Sequence, residues 1–475
     1  MADELPRLAI LGHPNAGKSS VVATLTENDR IAIDQRAGTT TESDRYPVVI
    51  DGRTVIEFVD TPGFQNPAAI LEWFRAHPDT PDLARAFVDS NRDDPLLAHD
   101  RSLLEPVAEG AGIILVVDGS KRIKEKDRIE IELLRLTARP RMAILNNLTE
   151  RAGHMAQWQV ELAKAFNSVR DFNAHRATYA ERIRLLQALR SIDQRWEPRL
   201  DLTVEAFERD WDRRMDQAVQ TVLDLMKEAL ALKVHKDVKS AAVVFRSGRE
   251  RIETELMGEL AQGLRRLETQ ARGRIRANFR HNVWDLPPSS ILEKDLLGEE
   301  VSQALGLSRR QLALTGAAAG AASGVGIDLA LAGHSLGAGA LLGAAAGGLL
   351  GVFGGRALAR LDLERRPGTM RFVAGPVSNP RLPFVLLDRI CLYAAHAMNW
   401  AHGRQAADEQ APDRVPDRPL PRLGLAERLD AEAHRELARF FAAARRGRQP
   451  DREEACRTIV KGILKAIAED RADRA

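Results

Sequence analysis

Apolar and polar positions fall into two regimes along the chain. Up to about residue 195, short apolar runs alternate with stretches of helical period. Residues 8–11, 54–59, Gly112–Asp118 and 141–145 read as strands, and the unbroken apolar character of the first and third predicts burial on both faces. Residues from Lys18, 124–136 and 177–192 carry helical periodicity, and 169–173 reads as a short last strand. Asp51-Gly52 between two apolar runs is a hairpin signal, pairing 45–50 antiparallel with 53–59. This predicts a doubly wound α/β domain over 1–195, with a mostly parallel sheet covered on both sides. Residues 64–109 hold helix-like 68–76 and 83–88 and read as an insertion, either structural filler or a partner surface.

Beyond residue 195 the pattern turns helical. Residues 205–232 and 236–279 predict two long amphipathic helices packed as a stalk or bundle over 196–309. Between Arg310 and Arg356 the only ionisable residues are Asp328 and His334. Gly316, Gly320 and Gly324 recur every fourth position, as do Gly339, Gly343, Gly347, Gly351 and Gly355. That spacing lays glycine along one helical face and predicts a Gly/Ala-rich helical hairpin over 310–360 that enters a bilayer. A soluble glycine-rich loop or a tightly packed buried hairpin is the alternative. Residues 361–475 read as a helical C-terminal region, with a short strand or loop in 370–383 and helices over 385–404, 425–446 and 453–469. A Pro- and charge-rich linker lies near 409–423.

The strongest chemical signal follows the first strand. Gly12-His13-Pro14-Asn15-Ala16-Gly17-Lys18-Ser19 is a complete G-x-x-x-x-G-K-S phosphate loop, and Ser20 continues into a helix. Backbone N–H groups of such a loop curl around phosphates, the lysine reaches the β- and γ-phosphates, and the serine hydroxyl sits on Mg²⁺. Asp60-Thr61-Pro62-Gly63 follows the 54–59 strand. Its Asp can hold Mg²⁺ through water, and Gly63 can donate its N–H to a γ-phosphate. Between the two lies Ala37-Gly38-Thr39-Thr40-Thr41, a hydroxyl-rich stretch where a first switch loop belongs.

These motifs resemble those of Era- and TrmE-type GTPases, over roughly the first 195 residues. The whole chain is similar to a bacterial group of GTPase proteins with the domain of unknown function three-four-eight-two. That likeness extends through Leu386-Leu387-Asp388-Arg389 and Ala401-His402-Gly403-Arg404. The resemblance implies GTP or GDP bound by Gly12 to Ser20, with Mg²⁺ on Ser19, Thr40 and Asp60. Lys18, Thr40 and Gly63 take the catalytic roles, and Asn15 occupies the loop position at which Era- and TrmE-like GTPases use an Asn to help hold K⁺. The base-recognition motif Asn-Lys-x-Asp is degenerate here. It reads either as Asn146-Asn147-Leu148-Thr149 or as Asn147-Leu148-Thr149-Glu150, and the acidic Glu150 favours the second. ATP therefore stays open beside GTP. Asn173-Ala174-His175 is the candidate loop for guanine O6. Phe64 stands where Ras-type proteins carry a water-orienting Gln, so slow intrinsic turnover is expected.

Composition narrows the remaining choices. The chain carries 69 basic and 67 acidic residues and only 5% aromatics, so neither a global field nor stacking surfaces point to nucleic acid. An Era-like ribosome or RNA assembly factor is disfavoured on the same ground. Cys391 and Cys456 have no metal-type spacing and fit a reducing compartment. The start Met1-Ala2-Asp3-Glu4 carries no basic apolar leader. The expectation is a cytoplasmic protein at the inner face of the inner membrane, with a membrane or membrane-protein partner and a homodimer through the nucleotide domain. The rival expectation is a membrane-remodelling or pore-forming effector that nucleotide merely triggers. His154, His235 and His402 lack partner patterns and read as structural.

Overall fold

The computed structural model describes residues 5–28, 31, 43–146, 153–174, 177–239, 246–280, 359–367, 369–398, 425–448 and 453–472. In the N-terminal unit, strand β1 (Arg7–Leu11) leads into helix α1 (Lys18–Thr26), then β2 (Asp44–Ile50) and β3 (Arg53–Asp60). Helices α2 (Pro67–Ala76), α3 (Leu83–Ser90) and α4 (Ala98–Ala108) form the insertion. Strand β4 (Gly112–Asp118), α5 (Glu125–Leu136), β5 (Arg141–Asn146), α6 (Met155–Ala163), β6 (Ser168–Asp171) and α7 (Tyr179–Arg190) complete the unit. The sheet runs β2-β3-β1-β4-β5-β6, with every neighbouring pair parallel except β2 with β3. Leu8, Ile10, Ile114 and Ile144 pack to one face, and Ala9, Leu11, Ile113 and Leu115 to the other. Two buried faces explain the unbroken apolar runs. The β2–β3 turn takes positive φ at both Asp51 and Gly52, as the dipeptide predicts.

Helix α8 (Glu197–Ala231) belongs to two cores. Trp196, Leu200, Val204 and Phe207 pack with the sheet, whereas Met215 onward packs in a second cluster. Thr203 Oγ1 donates to the Val55 carbonyl at 3.2 Å, tying the helix to β3. The second cluster gathers β7 (Val234–Lys239), α9 (Arg246–Asn278), β8 (Ala359–Arg366), β9 (Thr369–Val377), α10 (Leu382–Met398), α11 (Ala431–Arg445) and α12 (Glu453–Ala472).

Here the structure departs from the two-helix reading. Residues 234–239 form a strand instead of opening the second helix, and they alternate half-buried Val234, Lys236 and Val238 with exposed His235, Asp237 and Lys239. That period of two suits a strand with one face on the core. β7 pairs antiparallel with β9, and β9 with β8, so the C-terminal region is helical around a small three-stranded sheet.

Helix α10 is apolar on every side and almost wholly buried, the signature of a central core helix. Its buried charges are matched inside the fold: Arg389 Nε donates to Glu268 Oε1 at 2.9 Å, and Asp388 accepts from the Ala426 N–H at 2.8 Å. Among the described residues, no helix is long and apolar enough to cross a membrane. Residues 310–358 of the predicted 310–360 hairpin and the 409–423 linker lie outside the described residues, whereas Ala359 and Arg360 open strand β8 instead of closing a helix.

Candidate nucleotide site

The loop from β1 to α1 is shaped by close approach to its neighbours. A Cβ on Gly12 would lie 2.2 Å from the Val116 carbonyl oxygen of β4, so only glycine fits beneath the loop. Asn15 and Gly17 both take positive φ, 63° and 91°, a backbone alternation that turns successive N–H groups to one side. Gly17 caps α1, which begins at Lys18. The loop thus presents N–H donors and a helix N-terminus together, the arrangement that favours an anion. His13, Pro14 and Ala16 form its walls, and Ala16 and Ser20 are buried.

The two sequence motifs meet at the mouth of this loop. Ser19 Oγ donates to Asp60 Oδ2 at 2.7 Å, across 41 residues of chain. Asp60 Oδ1 is buried with no hydrogen-bond partner. Burial pushes the Asp60 carboxyl above its ordinary range, against the pull of the Ser19 hydrogen bond and of Lys18. Lys18 is 8% exposed, and its ammonium donates to the His13 carbonyl at 3.3 Å. Desolvation lowers its pKa, with Asp60 and Glu130 opposing. Thr61 Oγ1 donates to the Ile10 carbonyl at 2.7 Å and locks the end of β3 to β1. Gly63 lies against the loop, where a Cβ would come within 2.8 Å of Pro14 Cδ.

At the other end of the site Asn146 joins two loops. It is fully buried at the end of β5, its Nδ2 donates to the Ala16 carbonyl at 2.9 Å, and its Oδ1 accepts from the Ala174 N–H at 3.3 Å. Thr24 Oγ1 of α1 donates to the Ala174 carbonyl at 2.8 Å, so the loop after β6 is held from both sides. Asn173 is half-buried beside it. Thr40, Asn147, Glu150 and His175 lie outside the described residues.

Residues 159–468, well over half of the chain, match the family described as Domain of unknown function (DUF3482). The chain belongs to the DUF3482 family. Residues 7–147 match the family described as 50S ribosome-binding GTPase, and this part is a P-loop GTPase domain of the Era/TrmE type. GTPase Der of Mycolicibacterium vanbaalenii is 30% identical over 166 residues, 32% of this chain and 34% of that protein. GTPase Der of Agathobacter rectalis is 40% identical over 70 residues, covering 15% of this chain and 16% of that protein. The tRNA modification GTPase MnmE of Lactobacillus delbrueckii subsp. bulgaricus is 28% identical over 144 residues, 30% of this chain and 25% of the relative. The chain thus spans about a third or less of the length of these relatives. A structure of Era in complex with MgGDPNP and nucleotides 1506–1542 of 16S ribosomal RNA aligns at 16% identity and a TM-score of 0.30, over 40% of this chain and 57% of that one. That likeness is too slight to assign a role.

In this DUF3482 protein the sequence reading overlooked a carboxylate pair behind the phosphate loop. Asp127 and Glu130, one helical turn apart on α5, both face His13: Nε2 lies 2.8 Å from Asp127 Oδ1 and 3.6 Å from Glu130 Oε1. Burial works against ionised Asp127, yet the His13 hydrogen bond and the Lys124 N–H hold it below the ordinary carboxylate range. Glu130 Oε1 has no hydrogen-bond partner, and burial raises the Glu130 pKa to about 7. The i, i+3 spacing was visible in the sequence; that this face of α5 turns toward the loop was not. His154 lies just before α6 and His235 on β7, while His402 lies outside the described residues.

Proposed function

We propose that this protein is a Mg²⁺-dependent, GTP-hydrolysing switch whose nucleotide state is passed to the fused helical domain. The contact between Ser19 and Asp60 carries the reading, because it brings two phosphate-site motifs together beside a buried lysine. A divalent cation fits there, since an unpartnered buried carboxylate oxygen and a neighbouring hydroxyl are the hard oxygen donors that Mg²⁺ takes. Ser19 and Asp60 would hold it, with Thr40 from the switch stretch, and the ion would supply charge neutralisation at the phosphates. Lys18 neutralises the β- and γ-phosphates, the N–H groups of the 12–20 loop cradle them, and the Gly63 N–H senses the γ-phosphate. Phe64 is buried, so its side chain takes no part in orienting water, in keeping with slow turnover.

Guanine preference turns on where the base motif is counted from. Asn146 ties the phosphate loop to the Asn173-Ala174 loop, which favours counting the base motif from Asn146. Thr149 then replaces the usual Asp, and discrimination against ATP is reduced; counting from Asn147 restores an acid at Glu150. Asn15 is exposed in the left-handed region, and its side chain makes no hydrogen bond among the described residues, which leaves it free to help hold K⁺. Membrane association through 310–360, at the cytoplasmic face of the inner membrane, and pairing of two GTPase domains rest on sequence alone. Ribosome binding is the second reading, favoured by the description of the family that residues 7–147 match.

Turnover of GTP and ATP by the full chain, side by side, in K⁺ and in Na⁺, tests the core of the proposal. Faster GTP hydrolysis that needs Mg²⁺ supports it, and no hydrolysis of either nucleotide sinks it. Equal rates in both salts remove the K⁺ role. Membrane flotation of the full chain against a chain lacking 316–355, with co-sedimentation on ribosomal subunits, separates the membrane reading from the ribosomal one.

A further inference from the structure

Helix α4 of the insertion reaches back to the segment after Gly63 and holds it residue by residue. His99 Nε2 donates to the Gly63 carbonyl at 2.9 Å. Lys126 Nζ, from the first turn of α5, donates to the Phe64 carbonyl at 3.0 Å. Asp100 accepts from the Gln65 N–H at 2.9 Å through Oδ1 and from the Asn66 N–H at 3.0 Å through Oδ2. Three successive peptide planes, 63–64, 64–65 and 65–66, are therefore gripped by side chains remote in sequence. Asp100 has no exposed surface at all. A fully buried carboxylate is costly unless its lone pairs are taken up, and here the two backbone donors take them up. Asn66 Oδ1 in turn caps α2 by accepting from the Ala69 N–H at 3.4 Å.

The grip matters because of what the segment lacks. Phe64 packs in the core at 2% exposure, so its side chain cannot orient the attacking water, and in this described segment that task is left to the backbone around Gly63. A free loop spends about 1–2 kcal/mol per residue in ordering its backbone, which reacting groups must otherwise recover at the moment of reaction. Gly63 is already pressed against Pro14 on one side and tied to His99 on the other. Lys126 stands next to Asp127, the partner of His13, so one turn of α5 holds both the phosphate loop and the segment after Gly63.

We infer that the α4 insertion is a built-in clamp, and that His99 and Asp100 are positioning residues for GTP hydrolysis, holding the Gly63 peptide where the γ-phosphate and its attacking water meet it. This rests on the GTPase reading above. In the step it serves, the water oxygen bonds to the γ-phosphorus as the bond from that phosphorus to the bridging oxygen of GDP breaks, and the water proton passes to the phosphate released. The insertion is then neither filler nor primarily a partner surface. It does through the backbone what a water-orienting side chain does elsewhere.

The test uses the full chain, single-turnover GTP hydrolysis, and affinities for fluorescent GDP and a non-hydrolysable GTP analogue. His99→Ala should slow turnover about tenfold, the scale of one lost hydrogen bond in the transition state, and weaken the GTP analogue while GDP affinity stays within about twofold. His99→Gln, which keeps an N–H donor, should recover most of the rate. Asp100→Asn, which turns an amide N–H toward a backbone N–H, should slow turnover further; should that variant misfold, the His99 pair decides. Leu96→Ala, at a position 85% exposed on the same insertion, should match the wild type. A His99→Ala enzyme as fast as wild type overturns the clamp. So does a loss that falls equally on GDP and GTP and is not rescued by Gln. Failure of the wild type itself to hydrolyse GTP removes the underlying reading instead.

Discussion

The two ends of α1 treat charge in opposite ways. At the phosphate end, Lys18, Asp60 and Glu130 are all buried and incompletely paired: burial lowers the lysine pKa and raises both carboxyls. At the far end Glu27, in the left-handed conformation at φ 52°, is saturated. Its two oxygens take Arg182 of α7 and Arg214 of α8, each at 2.6 Å, with Arg280 at 3.1 Å. Arg214 also binds Asp210, and although burial opposes it, Glu27 and Asp210 hold the Arg214 pKa above its ordinary value. Around this cluster Tyr179 stacks on Trp211 with ring centroids 3.9 Å apart. One end of the helix carries a desolvation cost that a polyphosphate and its cation can relieve. The other end carries charges that satisfy each other and join the GTPase domain to the helical one. A nine-residue helix thus links a site built to change with a seam built to hold.

If that contrast is right, damage at the phosphate end should spare the fold, and damage at the seam should spare the chemistry. Lys18→Ala should cut turnover by about a thousandfold, on the scale of a lost transition-state charge contact, while the nucleotide-free melting midpoint stays within about 2 °C of wild type, since a poorly paired buried ammonium adds little to stability. A large loss of stability in this variant would erase the comparison.

Glu27→Ala should do the reverse. It strands Arg182 without its carboxylate and leaves Arg214 with Asp210 alone, at a cost of about 3–5 kcal/mol, or about 10 °C in the midpoint of a thermal melt. A shift under about 2 °C would mean that the arginines find other partners and that the seam is not held by this residue.

Glu130 sharpens the contrast through pH. Its folded pKa, about 7, lies above the ordinary glutamate value of 4.5, so its contribution to stability is present at low pH and is lost as pH rises through that window. Nucleotide-free Glu130→Gln should therefore gain on the wild type by several degrees between pH 5 and pH 7.5, with Asp127 still holding His13. Melting curves that stay parallel across this range would show that Glu130 is not strained. The smallest effect is expected at Asn146: its change to Ala leaves the Ala16 carbonyl and the Ala174 N–H without their partner and should weaken GDP binding about tenfold in a fluorescence titration.

The phosphate loop, the β2–β3 hairpin and the strand that ends at Asp60 were legible because each is governed by neighbours within a few residues. Gly12, the Asp51-Gly52 turn and the apolar runs state local demands on backbone and burial. The strand over 234–239 was not legible, because six alternating residues between two long helices are too few to outweigh the helical period on either side. The α4 clamp was hidden for another reason. Asp100 meets the Gln65 N–H across 35 residues, and that meeting depends on how α2, α3 and α4 pack.

What the sequence determined by itself is therefore the part ruled by short-range sterics and periodicity: an α/β domain with a phosphate loop, followed by a mainly helical region. The tertiary structure alone decided which charges meet. With 69 basic and 67 acidic residues, almost any pairing is compatible with composition. Glu27 finds Arg214 across 187 residues because both are driven out of water at the same place, where each is tolerable only with the other. Asp60 and Glu130 are left short of partners by the same packing. Desolvation, which no linear pattern records, separates the seam from the site.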